Sequence, residues 1–74
     1  MIEFWGSETC LSCKQALNFL QGTPFEFKYV DVATIKFEGE IPRLVFEDRT
    51  TIVGLGPIVQ YVREWMTQMG IGMV

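Results

Sequence analysis

The chain contains no histidine, and it has only two cysteines and three prolines among 74 residues. Without imidazole, a cysteine–histidine nucleophilic pair and a histidine-ligated zinc site are both excluded. No glycine-rich stretch ends in Gly-Lys-Ser/Thr, so a phosphate-cradling loop is missing as well. Lys and Arg total six against nine acidic residues and form no stripe, which gives nucleic-acid binding little electrostatic support. No apolar run is long enough to span a bilayer. Met1 leads straight into "IEFW", without a basic n-region, apolar h-region or cleavage site. The expected location is therefore the cytoplasm, where thiols are mostly kept reduced.

What is present suits one small folded domain over 1–74. Hydrophobic residues make up 49% of the chain and aromatics 14%, enough for a compact core near the lower size limit for unaided folding. "IEFW" (2–5) reads as a short buried strand. Cys13, Ala16, Leu17 and Leu20 fall at i, i+3, i+4 and i+7, the apolar stripe of a helix that Gly22 and Pro24 stop. Phe25, Phe27 and Tyr29 alternate with Glu26 and Lys28, predicting a second strand over 25–32. The stretch 33–40 has room for a turn or two of helix. Residues 43–47, 48–50 and 51–54 read as strand, turn and strand. Gly56-Pro57 opens a last helical stripe of Ile58, Val59, Val62, Trp65, Met66 and Met69, with Gly70 as its stop. The order is β-α-β, a short connection, then β-β-α, with the first two strands expected to be parallel.

Cys10 and Cys13 stand three positions apart in "GSETCLSCK". As a staple the pair is poor, since closing so short a loop contributes about 1.9 kcal/mol by chain entropy. As a metal site it is incomplete: tetrahedral zinc takes four ligands, so a dimer or an external thiol would have to finish it. Two unrelated buried thiols would suit Cys13, on the apolar stripe, but not Cys10, which sits in a polar turn. Redox chemistry explains both placements. Cys10 lies where a strand ends and a helix begins, and unpaired N–H groups there favour a thiolate. Cys13, one turn on, is placed to resolve a mixed disulfide at Cys10. Thr9 could cap the helix, and Ser12 with Gln15 fits a capping box, leaving its start open by a turn.

"FWGSETCLSCK" (4–14) resembles the active-site segment of the thioredoxin and glutaredoxin superfamily. "IPRLVFEDRTTIVGL" (41–55) resembles the second thioredoxin signature, and "YVDV" (29–32) the end of the glutaredoxin second strand. The resemblance implies a minimal thioredoxin fold of class α/β, with a four-stranded mixed sheet, two helices and a reduced intervening helix. It implies Cys10 as the attacking and Cys13 as the resolving cysteine, and Pro42 as a cis-proline facing them. Ile41 would offer its backbone to a partner peptide, with Trp5, Arg43 and Gly54 completing the docking surface. The implied activity is dithiol–disulfide oxidoreduction on client proteins, ribonucleotide reductase being one possibility. Electrons would come from a thioredoxin-reductase-type flavoprotein or from glutathione. The expected form is a monomer without cofactor; a glutathione-coupled glutaredoxin and a dimeric iron–sulfur or zinc carrier are the alternatives.

The departures from the family bear on the reductant. Leu11-Ser12 replaces the Gly-Pro or Pro-Tyr usual between the cysteines. Ser7 stands where many glutaredoxins carry a glutathione-binding lysine, and Gly54-Leu55-Gly56-Pro57 lacks the Ser or Asp that grips the γ-glutamyl end. Arg43 occupies the usual threonine position and is expected to pair with Glu8 or Glu40, to contact an acidic partner, or to remain a surface charge. Glu8 is read as a solvated loop charge, Trp65 as packing. Phe37 is expected to plug the thinly covered side of the sheet, its loss costing about 3 kcal/mol or more.

Overall fold

The computed structural model describes residues 1–70. Six elements follow one another: β1 (Glu3–Gly6), α1 (Leu11–Gln21), β2 (Lys28–Asp31), β3 (Arg43–Val45), β4 (Thr51–Val53) and α2 (Leu55–Gln68). The strands form one mixed sheet in the order β2-β1-β3-β4. β1 and β2 are parallel, Phe4 opposite Tyr29, as the α1 crossover between them requires. β3 runs antiparallel to β1, with Leu44 opposite Phe4, and β4 antiparallel to β3. The chain is thus α/β, with a four-stranded mixed sheet and two helices. Among the described residues no helix is long and apolar enough to cross a membrane.

Strand pleating sorts the side chains to two faces. Phe4 and Leu44 point to one of them and are fully buried with Ala16 and Leu20 of α1 and Ile58 and Val62 of α2. Both helices therefore cover the same face and pack against each other there. No polar or charged residue belongs to this buried set. The helical stripes read from the sequence are its source: Cys13, Ala16 and Leu20 are the buried positions of α1, and Ile58, Val62 and Met66 those of α2.

Some boundaries differ from the sequence expectation. β2 begins at Lys28 rather than Phe25, its first pairing being the Lys28 N–H bond to the Ile2 carbonyl. Thr23 holds the preceding turn: its hydroxyl donates to the Leu20 carbonyl and accepts from the Phe25 N–H. Phe25 is thereby turned into the core, edge-on to Trp65 at 5.1 Å and Tyr61 at 6.2 Å. α2 begins two residues before Pro57, with the Ile58 N–H bonding to the Gly54 carbonyl. A proline in the first turn costs no helical hydrogen bond, because the first N–H groups of a helix have no partner within it. Met69 caps the far end ahead of Gly70, so the stop is as expected.

Residues 32–36 form turns and no helix, held by bonds from the Thr34 N–H to the Asp31 carbonyl and from the Phe37 N–H to the Val32 carbonyl. Among the described residues the second face of the sheet is therefore covered by this loop and not by a helix. Phe37 lies against it, edge-on to Trp5 at 5.0 Å, and the Arg43 guanidinium stacks 4.6 Å from the Phe37 ring centre. Phe37 is half-buried rather than a full plug. Its replacement by alanine is expected to cost about 2 kcal/mol, less than a core phenylalanine would. A urea melt checks this, and no change in midpoint would mean that the aromatic stack adds nothing to stability.

Candidate functional site: a thiol pair at the start of a helix

The loop 7–9 brings the chain from the end of β1 to α1, and Cys10 is the residue at which the helix begins. Its backbone is extended (φ −98°, ψ 114°) and its carbonyl accepts the Lys14 N–H, as an N-cap residue should. The cap acceptor is the cysteine sulfur itself. The Cys13 N–H donates to Cys10 Sγ at 3.2 Å, and Ser12 Oγ lies 3.4 Å from the same sulfur. Neither proposed oxygen cap is used: Ser7 bonds instead to the Thr9 N–H and hydroxyl.

The environment separates the two thiols. Burial alone would raise the Cys10 pKa, but hydrogen bonds from the Cys13 thiol, the Ser12 hydroxyl and the Cys13 and Ser12 N–H groups outweigh it. The result lies below the ordinary 9.0. Cys13 is only 2% exposed. Burial, its hydrogen bond to Cys10 and the charge there push it up to about 11, despite a bond from the Ser7 backbone. Cys13 packs against β1 at Gly6, where an added methyl carbon would stand 3.3 Å from Cys13 Cβ and 2.9 Å from a Phe4 ring carbon. A side chain at position 6 would have to push one of them aside. Both cysteines are free thiols.

The other sequence-selected residues gather at the same end of the sheet, and they divide into two sets. The Ile41–Pro42 peptide is cis, and Pro42 is fully buried. Because β3 is antiparallel to β1, Pro42 enters the sheet at the end from which the Cys10 loop leaves. The Gly54 N–H donates to the Pro42 carbonyl at 2.8 Å, tying the end of β4 to the same corner. Gly54 adopts φ +105°, a region that side-chain-bearing residues rarely enter. Ile41, Pro42 and Gly54 are thus neighbours at the end of the sheet that carries the cysteine loop.

Trp5 and Arg43 are cross-strand partners, but their side chains lie on the face away from Cys13. The Trp5 indole donates to Glu3 at 2.9 Å. Arg43 forms no ion pair with Glu8 or Glu40: its Nε donates to the Glu40 backbone carbonyl at 2.8 Å. The bond holds the arginine over Phe37, so it braces the loop ahead of Pro42. Among the described residues the ion pair is that of the Met1 ammonium with Glu47, far from the cysteines in sequence.

Two features escaped the sequence reading. One is the Ser12 contact to Cys10. The other is a cavity of about 620 Å³ beside Cys13, lined by Ser7, Glu8, Thr9, Lys14, Leu17 and Tyr29. The Tyr29 phenol is shifted up by partial burial and by the negative charges of Asp31, the cysteines and Glu8. Among the described residues no group of three cysteines or carboxylates comes together as metal ligands. No protein-family model, curated protein or solved structure matches the chain.

Proposed function

We propose that the chain is a minimal thioredoxin-fold dithiol–disulfide oxidoreductase that reduces disulfides in client proteins within the reducing cytoplasm. The observation that carries this reading is that the Cys10 sulfur is the N-cap of α1, with the Cys13 thiol buried one turn on. One sulfur is partly exposed and stabilised as a thiolate, and the other is buried and kept protonated until needed. Strand order, helix placement and the motifs at 10–13 and 41–42 support the thioredoxin fold.

The reaction balances as two exchanges. Cys10 thiolate attacks one sulfur of a client disulfide, forming a mixed disulfide and releasing the other client sulfur as a thiolate. Cys13, giving up its proton, attacks the Cys10 sulfur of that mixed disulfide and releases the second client thiolate. Two electrons pass to the client and the Cys10–Cys13 disulfide remains. Client backbone would dock along the corner formed by Ile41, Pro42 and Gly54, at the end of the sheet from which the Cys10 loop rises.

A wide protein surface is the better match for the reductant than glutathione. The Ser7 hydroxyl is engaged within its own loop, and Gly54, the N-cap of α2, has no side chain, so neither position offers glutathione a charged grip. Loss of two charge-assisted bonds should cost glutathione tenfold or more in affinity. Turnover of a protein disulfide is to be compared with an NADPH-driven thioredoxin reductase and with glutathione as electron source. Reductase-supported kcat/KM is expected to be at least tenfold higher. Turnover with glutathione alone would make the protein a glutaredoxin, and turnover with neither would overturn the oxidoreductase reading.

A further inference from the structure

One face of the sheet is closed by α1 and α2, and the other carries only the loop with Phe37. A sheet with apolar side chains on a face is stable when that face is packed under another layer. Here the pleat sends Trp5 of β1, Val30 of β2 and Val45 of β3 to the thinly covered side, and all three stay half-buried. Two hollows adjoin them. One, of about 620 Å³, runs from Glu3 and Trp5 past Val45 to Arg49. The other, of about 520 Å³, runs from the same Glu3 and Trp5 to Lys28 and to Ile35, which is 46% exposed at its rim. Because Glu3 and Trp5 line both, the hollows form one trough across the strands.

The carboxylates of the trough are engaged within the fold. Glu3 accepts from the Trp5 indole, Asp31 from the Ala33 N–H, and Glu47 pairs with the Met1 ammonium. The cations are not. Among the described residues Lys28 and Arg49 make no ion pair and no side-chain hydrogen bond, and Arg43 uses only its Nε. Lys28 stands on the β2 edge and Arg49 in the turn between β3 and β4, so uncommitted positive charge flanks an apolar floor at both ends. The chain as a whole has a net charge of −3, which makes this polarity local. Two cations separated by apolar side chains suit carboxylates on either side of an apolar anchor. They do not suit the closely spaced phosphates of a nucleic acid.

We infer that this trough is a docking surface for an acidic segment of a partner protein, whose apolar side chains rest on Trp5, Val30 and Val45 while its carboxylates meet Lys28 and Arg49. From β2 to β4 the sheet spans three inter-strand steps, about 14 Å. An extended peptide covers that distance between residues about four positions apart. The surface lies on the side of the sheet away from Cys13, so a partner seated there leaves the thiol pair uncovered. Docking and disulfide exchange are therefore separable, and each can be tested without the other.

The experiment is an NMR titration of the reduced, isotope-labelled protein with the blocked peptide Glu-Glu-Leu-Phe-Leu-Glu-Glu, and with Lys-Lys-Leu-Phe-Leu-Lys-Lys as its control. Two indole N–H signals report on opposite sides of the sheet: Trp5 lines the trough, whereas Trp65 packs on Phe25 in the helix-covered core. The acidic peptide should shift the Trp5 signal saturably, with a Kd on the order of 0.1–1 mM, and leave Trp65 in place. The basic peptide should bind about tenfold more weakly or worse. Lys28→Gln combined with Arg49→Gln changes only exposed side chains and should weaken the acidic peptide about fivefold. Raising the salt from about 0.05 M to about 0.5 M should weaken it similarly in the wild type.

A Trp5 signal that does not move by about 5 mM peptide would overturn the docking surface. So would equal binding of the two peptides, a Trp65 response matching that of Trp5, or an affinity unchanged both in the double variant and at high salt. A Trp5 shift that grows with protein concentration, without peptide, would give the face to a second copy of the chain instead. A response to phosphatidylserine vesicles and not to the peptide would give it to a membrane surface. None of these results touches turnover by Cys10 and Cys13. Absence of turnover in a protein that binds the acidic peptide as described would sink the oxidoreductase reading alone.

Discussion

At pH 7, Cys10 is expected to be alkylated by iodoacetamide at least tenfold faster than Cys13. Cys10 titrates below 9.0 and Cys13 near 11, so at least a hundredfold more Cys10 is thiolate at neutral pH. A more acidic thiolate is also a weaker nucleophile, which takes back about tenfold of that advantage. Burial of Cys13 widens the gap again, because 2% exposure leaves little room for a reagent. The same asymmetry decides what substitution does. Cys10→Ser should abolish disulfide reduction, whereas Cys13→Ser should accumulate mixed disulfides that an added dithiol releases. Mass spectrometry of alkylated peptides, with a mixed-disulfide gel of the two variants, measures both. Faster labelling of Cys13 would reverse the proposed roles.

The second large effect is on stability. Phe4 is fully buried at the centre of the sheet, with ring centres of Phe27 and Tyr29 each 6.0 Å away. Phe4→Ala is expected to cost about 3–5 kcal/mol. A domain of this size has roughly 4–11 kcal/mol in total, so the variant should be largely unfolded well below the wild-type melting temperature. Phe4→Leu, which keeps most of the volume, should lose far less. The cysteine pair should follow the core, since Phe4 and Cys13 meet at Gly6. A thermal melt of the two reduced variants, with the rate of Cys13 alkylation read alongside, checks the prediction. A small loss for Phe4→Ala would mean that Phe27 and Tyr29 close the cavity.

Much of this was legible in the sequence, and the reasons are local. Cys13, Ala16 and Leu20 recur at helical spacing because one face of α1 meets the core, so periodicity alone separated the buried cysteine from the partly exposed one. The hairpin of 43–54 was readable from apolar runs around a polar turn. The start of β2 was not. Alternation at Phe25 and Phe27 is compatible with a strand, and only the Thr23 turn and the ring of Trp65 pull Phe25 under α2. The cap of α1 escaped for a related reason: Thr9 and Ser12 both suit the position by residue type, and Cys10 between them does not. The choice depends on how loop 7–9 leaves β1, a tertiary fact. Arg43 was weighed as a charge, yet the neighbour that matters is the Phe37 ring, brought beside it by a loop with no periodicity to read.

In the reduced protein the atom that caps α1 and the proposed nucleophile are one sulfur, so folding and ionisation are thermodynamically linked. A Cys10 pKa lowered by the fold means that the thiolate stabilises the fold in return. That contribution is complete above the unfolded thiol pKa and fades as pH falls through the folded one. Cys13 runs the other way. Its raised pKa makes the fold lose stability from the ordinary thiol range up to about 11, as the unfolded chain ionises first. The pair therefore places its own stability optimum near the ordinary thiol pKa. Oxidation removes both contributions together, because a disulfide sulfur carries no charge and is a weaker acceptor for the Cys13 N–H. The first turn of α1 is thus held by a charge-assisted cap while the thiols are ready to react, and by a covalent Cys10–Cys13 link, contributing about 1.9 kcal/mol of chain entropy, once the electrons have been handed on.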